Sequence, residues 1–380
     1  MSQQPDRRRM PIPITILTGF LGSGKTTLLN RLISDPAMAD AAVIINEFGE
    51  VGLDHMLVEA AEDGIVELSS GCLCCTVRGD LVKTLEDFLR RLDNGRLDTL
   101  SRIVIETTGL ADPAPILHAI MLHPYLVLRY RLDGVVTTVD AVNGMATLDA
   151  HEEAVKQVAV ADRIVLTKTD IAEDRGADAL RERLAALNPG APVVDAAGAT
   201  AEALLNCGLF DPTRKIPDVA RWLHEEAYRD SGHTHDHGHS GGHHHHHDVN
   251  RHDDHIRAFS LATDRAVPAT ALEMFIDLLR SAHGPKLLRV KGIVKLAEDP
   301  ERPVVIHGVQ EVFHPPATLP QWPDDDHRTR LVFITSDMPE EFVSRMFEAI
   351  AGTPVVDTPD AAALTDNPLA VSGFSGTFKS

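Results

Sequence analysis

Gly19-Phe20-Leu21-Gly22-Ser23-Gly24-Lys25-Thr26-Thr27 has the residue types and the spacing to hold a polyphosphate, with two glycines flanking four residues and Lys-Thr following. Gly19, Gly22 and Gly24 let the backbone N–H groups of the loop, including those at Ser23 and Thr27, curl around phosphate oxygens. Lys25 is expected to reach the β- and γ-phosphates, and the Thr26 hydroxyl to hold Mg²⁺. A helix beginning where the loop ends adds a favourable dipole. The ligand this chemistry suits is a nucleoside triphosphate.

Two further segments suit the same ligand. In Ile103-Val104-Ile105-Glu106-Thr107-Thr108-Gly109, a carboxylate closes an apolar strand and a glycine follows. Glu106 at such a strand end can hold the Mg²⁺ shell. The Gly109 N–H can approach the γ-phosphate, which makes this a switch loop sensitive to hydrolysis. Thr167-Lys168-Thr169-Asp170 follows the strand Arg163-Ile164-Val165-Leu166 and is similar to the guanine-reading pattern Asn-Lys-x-Asp, with Thr167 in place of Asn. Asp170 would accept from the guanine N1–H and N2 amine together, a donor pair that adenine lacks, so GTP is favoured over ATP. Lys168 would lay its stem along the base.

Cys72-Leu73-Cys74-Cys75 brings a different chemistry. Thiolates are soft ligands that prefer Zn²⁺ or Cu⁺ to Mg²⁺. In an extended segment Cys72 and Cys74 point to one side and Cys75 to the other, so the three need not share one ion. Cys72 and Cys75 also stand at C-x-x-C spacing, which leaves redox switching open, and buried small hydrophobes are the bland alternative. Far downstream, His233, His235, His237 and His239 lead to the unbroken run His243, His244, His245, His246, His247. Neutral imidazole binds Zn²⁺, Co²⁺, Ni²⁺ and Cu²⁺, so this stretch can buffer ions or serve only as a polar linker. His307 and His314 read as structural or surface histidines, not ligands.

The elements that must position these residues alternate. Strands are expected at Ile12–Leu17, Ala42–Asn46, Ile103–Glu106, Gly134–Asp140, Arg163–Thr167 and Pro192–Asp195, with Ile103–Glu106 next but one after the P-loop strand. Helices are expected at Leu81–Asn94, Glu152–Ala159 and Ala177–Ala186. Leu81, Leu85, Phe88, Leu89 and Leu92 fall on one helical face and read as core. Such alternation predicts the α/β class: a doubly wound, mostly parallel P-loop NTPase sheet, with ligands beyond the strand C-termini. A smaller α+β unit follows, with strands at Ile256–Thr263, Lys286–Leu296, Val304–Phe313 and Thr329–Thr335 and helices at Ala269–Ala282 and Glu340–Ile350. The chain thus divides into a flexible leader 1–11, a P-loop GTPase domain 12–211, a His-rich linker 212–255, an α+β domain 256–350 and a flexible tail 351–380.

Composition narrows the partners. A formal net charge of −20 over 380 residues argues against nucleic acid and anionic membranes, which need a basic field. Hydrophobic content of 43% supplies a core, and at 4% aromatics the aliphatic residues must fill it. Clustered thiols point to a reducing, cytoplasmic setting, not a disulfide framework. Arg7-Arg8-Arg9 precedes an apolar stretch, but the P-loop strand accounts for that stretch, and no signal peptide is expected.

Gly19–Thr27, Asn46-Glu47-Phe48-Gly49-Glu50, Gly71–Cys75, Glu106–Gly109 and Thr167–Asp170 come in one order, and in that order the chain resembles the CobW-type metallochaperone GTPases over about residues 12–350. The resemblance implies a C-terminal domain of the CobW kind and a GTP-driven carrier that hands a transition metal to a client apo-protein. It also implies that Glu50 and Cys74 belong to the metal site, with Glu47 and Asp54 as neighbours. A thiolate site lying between P-loop and switch loop can be coupled to γ-phosphate loss, so metal affinity would change as GTP becomes GDP. Its ligands must be deprotonated, so loading should weaken as pH falls. The metal expected is Zn²⁺, with Co²⁺ handling for cobalamin synthesis as the nearest rival; metal storage and metal-dependent regulation without transfer are the others. Neither an arginine finger nor a Ras-type glutamine is assignable, so intrinsic hydrolysis is expected to be slow and to wait on the client or a homodimer.

Overall fold

Two sheets organise the described residues, and they differ in kind. In the computed structural model, which describes residues 11–48, 65–70, 76–207 and 255–351, the first is seven-stranded and parallel throughout. Its strands are β1 (Ile12–Gly19), β2 (Ala41–Phe48), β3 (Ile65–Ser70), β4 (Arg102–Glu106), β5 (Tyr130–Asp140), β6 (Arg163–Thr167) and β7 (Val193–Asp195), in the spatial order β3-β2-β4-β1-β5-β6-β7. Helices α1 (Lys25–Ile33), α2 (Thr76–Asp93), α3 (Ala114–Met121), α4 (Leu126–Arg129), α5 (Gly144–Ala150), α6 (Glu152–Ala159), α7 (Asp174–Leu187) and α8 (Ala201–Leu204) join them. β1 is hydrogen-bonded to β4 on one side and β5 on the other, with Leu17 opposite both Glu106 and Val136. Its run Ile14–Gly19 is wholly buried, as a strand covered on both faces must be. The P-loop is therefore launched from the middle of the sheet.

The stripe expected on the second helix is core: Leu81, Leu85, Phe88 and Leu89 pack with Ile14, Ile16, Ile103 and Ile105. On the other face Leu28, Leu29 and Leu32 of α1 meet Leu17, Val43, Val104 and Val165.

Two expectations need correction. β4 is not next but one after β1 in sequence, because β3 intervenes as the edge partner of β2; in space it is the immediate neighbour of β1. The stretch Val304–Phe313 is not one strand. It is a hairpin, β10 (Val304–Val309) and β11 (Val312–Phe313), turned at Gln310 with φ 52°.

The second sheet contains β8 (Ile256–Thr263), β9 (Leu287–Val294), β10, β11, β12 (Ala317–Thr318) and β13 (Thr329–Ser336) in antiparallel order β11-β10-β9-β13-β8, with β12 against β10. Helices α9 (Ala269–His283) and α10 (Glu340–Ile350) cover one face, where Phe275, Leu279 and Phe347 meet Phe259, Leu331 and Phe333. The other face meets the first unit: Ala159 of α6 packs with Leu288, Ile293, Val305 and Trp322.

That junction is also charged. Asp162, just after α6, is gripped by Arg289 and by Lys291 at 2.8 Å, both from β9, and Arg289 also donates to the Val160 carbonyl. Burial pushes the Asp162 carboxyl up, but the two cations outweigh it and hold it far below the usual range. Burial draws Lys291 down to about 8 against the pull of Asp162. His307 and His314 stack beside this cluster with centroids 5.0 Å apart, and burial holds His314 down at about 4. They are structural parts of the junction. Among the described residues no helix is long and apolar enough to cross a membrane.

Candidate nucleotide and metal site

The loop between β1 and α1 is shaped by three glycines at positive φ: Gly19 at 143°, Gly22 at 71° and Gly24 at 87°. At Gly19 a Cβ would fall 2.2 Å from the Thr138 hydroxyl, so only glycine fits. Lys25 Nζ donates to the Gly19 and Phe20 carbonyls at 2.9 and 3.2 Å, folded back over the loop it would share with phosphate. Ser23 is buried, its hydroxyl 2.6 Å from that of Thr138 on β5. Thr27, one turn into α1, is exposed.

Thr26 and Glu106 are brought together, with the Thr26 hydroxyl donating to Glu106 Oε1 at 3.1 Å. Glu106 is 6% exposed at the C-terminal end of β4. A hydroxyl and a buried carboxylate are hard oxygen donors, the set Mg²⁺ prefers, so these two residues fit that ion beside a bound triphosphate. Thr107 anchors the start of the following loop: its N–H donates to the Leu17 carbonyl at 2.9 Å and its hydroxyl to Thr18 Oγ1 at 2.8 Å. Gly109 then passes against the P-loop so closely that a Cβ would lie 2.6 Å from the Leu21 nitrogen.

The Thr167-Lys168-Thr169-Asp170 turn leaves β6 on the same edge. Thr167, standing where asparagine is usual, donates to the Ser23 carbonyl at 2.8 Å and so ties this turn to the P-loop. Lys168 takes the left-handed conformation, φ 56°, and its ammonium reaches Asp140 at 2.7 Å. Asp140 closes β5 and also accepts from the Val142 N–H and from Asn143. Burial pushes the Asp140 carboxyl up; the Lys168, Asn143 and Val142 donors outweigh it and hold it below the usual range. Asp170 is exposed. A cleft of about 240 Å³ runs behind the P-loop between Ser23, Asp140, Asn143, Gln157 and Lys168.

Glu50, Asp54, Cys72, Cys74, Cys75 and the histidines from His233 to His247 lie outside the described residues. So does the side chain of Glu47. Among the described residues no group of three His, Cys, Asp or Glu stands together as a metal site. Cys207 is described and is buried, and burial pushes its thiol far up, away from the thiolate a metal needs.

Sequence reasoning missed Asp140 and Gln157. Asp140 carried the same signal as Glu106, an acid ending an apolar strand. Gln157 was the lone polar residue on the buried face Ala154, Val155, Val158 of α6. It is 1% exposed, and its Nε2 donates to the Gly109 and Ala111 carbonyls at 3.3 and 3.0 Å.

Residues 13–195 match the CobW/HypB/UreG nucleotide-binding domain, and residues 256–351 match the cobalamin synthesis protein cobW C-terminal domain. The chain is similar to the zinc chaperone YjiA of Escherichia coli, 34% identical over 342 residues that span 90% of this chain and 99% of the relative. It is also similar to the zinc-regulated GTPase metalloprotein activator 1 of Schizosaccharomyces pombe, 37% identical over 192 residues, 49% of this chain and 46% of that one. The crystal structure of Zn(II)-bound YjiA GTPase from E. coli superimposes with a TM-score of 0.62 at 29% identity, covering 90% of this chain and 99% of that one. The two family matches, carried by a P-loop launched from a central parallel strand and an antiparallel C-terminal domain on the same chain, make this protein a member of the CobW family.

Proposed function

We propose that this protein is a Mg²⁺-dependent GTPase that carries Zn²⁺ to client apo-proteins in the cytoplasm. The observation that carries the reading is the convergence of Lys25, Thr26, Glu106, Gly109 and Thr167–Asp170 on one sheet edge, in a chain aligned along 99% of a zinc chaperone.

Each residue has a task in this reading. The loop Gly19–Thr27 cradles the phosphates, and Lys25 exchanges its two carbonyl partners for β- and γ-oxygens. Thr26 and Glu106 hold Mg²⁺, which neutralises charge on the phosphates when bound. Asp170 selects guanine, while Lys168 is steadied beside the base by Asp140. Gly109 offers its N–H to the γ-phosphate, and the loss of that phosphate is felt at Leu21 and along the switch loop.

Zn²⁺ is cargo, taken by Cys72, Cys74, Cys75 and Glu50 in the segment between P-loop and switch loop. The His233–His247 stretch gathers ions for that site, and the C-terminal domain recognises the client. Relatives named for zinc favour Zn²⁺ over Co²⁺ here.

Chelator competition for Zn²⁺, with GDP and then with a non-hydrolysable GTP analogue, on protein lacking residues 233–247, tests the reading. Affinities that differ by about tenfold or more, ~1.4 kcal/mol of coupling, support a nucleotide-gated carrier. Equal affinities overturn the gating.

A further inference from the structure

The loop from Thr107 to Pro113, between β4 and α3, is held from two directions by two amides. Gln157 holds it from α6 through the Gly109 and Ala111 carbonyls. Gln310 holds it from the second sheet: its Nε2 donates to Asp112 Oδ2 at 2.8 Å. The other oxygen of Asp112 accepts from the Ala114 N–H at 2.9 Å, at the start of α3. One carboxylate therefore joins the switch loop, the helix that follows it and the C-terminal hairpin.

The hairpin is seated, not merely adjacent. Val309 and Val312, on either side of its turn, are buried in the same cluster as Ile116, Leu117, Ile120 and Met121 of α3. Gln310 itself sits at φ 52°, a left-handed backbone that is strained for a non-glycine residue. Glycine would relieve that strain but could not donate to Asp112. On the nucleotide side, Gly109 lies against the P-loop with no room for a side chain. Asp112 is three residues further on, so a displacement of the Gly109 amide is passed to the carboxylate that Gln310 holds.

We propose that Gln310 is a positioning residue for GTP hydrolysis, supplied by the second domain, which with Gln157 keeps the Gly109 loop set against the P-loop. This rests on the reading of the protein as a GTPase and deepens it. Because linkage is reciprocal, nucleotide state biases the seating of the hairpin, and whatever unseats the hairpin alters turnover. The second domain, proposed to meet the client, thus has a direct grip on the switch.

The test uses the full chain with Gln310→Glu, Gln310→Lys and Asp112→Asn. Glutamate, glutamine and lysine carry a similar left-handed cost at this position, so the first two variants differ chiefly in what they present to Asp112. Gln310→Glu sets a carboxylate against Asp112 and is expected to lower kcat about fivefold or more with KM changed less than about twofold, the mark of lost positioning. Gln310→Lys, still a donor, loses less than half as much on a logarithmic scale. In the Asp112→Asn background, where the repulsion is gone, the effect of Gln310→Glu shrinks to less than about twofold. Hydrogen exchange of residues 107–121 with a GTP analogue bound is faster in Gln310→Glu than in the wild type. Unchanged kcat in Gln310→Glu, or equal losses in the glutamate and lysine variants, overturns the proposal. A wild-type chain that does not hydrolyse GTP overturns the GTPase reading and this one with it; normal hydrolysis with an indifferent Gln310→Glu overturns this one alone.

Discussion

Two charged regions of this molecule use similar side chains to opposite ends. At the nucleotide edge, Lys25 leans on backbone carbonyls, Thr26 shares Glu106, and Lys168 shares the Asp140 carboxylate with Asn143. In the proposed function these are partnerships that a phosphate, a metal or a base replaces. At the domain junction, Asp162 is 2% exposed and clamped between Arg289 and Lys291, with no room for a rival ligand. The partners decide the difference. A carbonyl, a hydroxyl or a single cation is cheaper to exchange than a buried carboxylate clamped by two cations, which is costly to break and so fixes geometry. The loop from Thr107 to Pro113 lies between the two regions, and α6 touches both: Gln157 faces the loop, and Ala159 packs on the second sheet.

Removing the acid at the junction should have the largest effect. Asp162→Ala takes the one buried carboxylate away from the Arg289 and Lys291 cations and is expected to cost about 3–5 kcal/mol, read as a drop in the denaturation midpoint. Nucleotide affinity of the molecules that stay folded should hold. At the other region, Lys25→Ala should leave the melting temperature near the wild-type value while GTP hydrolysis falls by about 100-fold or more, since a single charge-stabilising donor is worth roughly that. A variant that damaged both quantities equally would erase the contrast between the regions.

A finer test lies at Thr167. Thr167→Val keeps the shape but loses the bond to the Ser23 carbonyl, and GTP affinity by calorimetry should weaken by about fivefold, ~1 kcal/mol. The smallest effect concerns pH. His314 is held near 4 chiefly by burial, with Arg289 adding to that effect and Asp162 opposing it; the stacked His307 is likewise held neutral beside Lys291. A folded-state value below the unfolded one means that the stability His314 contributes is present above about 6.5 and is lost as pH falls towards 4. The fall in melting temperature between pH 7 and pH 5 should therefore be smaller in His314→Phe than in the wild type.

The P-loop, the acid closing β4 and the turn after β6 were legible as places in the fold because each is local: a few residues, read in order, specify where the chain turns. The alternating strands were legible because strands buried on both faces are plain apolar runs. β3 was not, since Ile65-Val66-Glu67-Leu68-Ser69-Ser70 is short and half polar and becomes a strand only by pairing with β2. The break in Val304–Phe313 was hidden for a related reason. Neither glycine nor proline marks it, and the turn is made by Gln310 in a conformation that glutamine rarely takes. Asp162 lies more than a hundred residues from Arg289 and Lys291 along the chain, and only the docking of β9 on α6 makes them one feature.

The hairpin has one more consequence, for anyone who would cut this protein in two. Val309 and Val312 fill the core of the first unit although the chain reaches them only after the second sheet is under way. A fragment ending before residue 255 would bare a greasy notch along α3, and the partner fragment would bare two valines on a short ribbon. Each half alone should be sticky and poorly soluble, and the two mixed should find each other, so split-protein complementation is a natural use of this boundary.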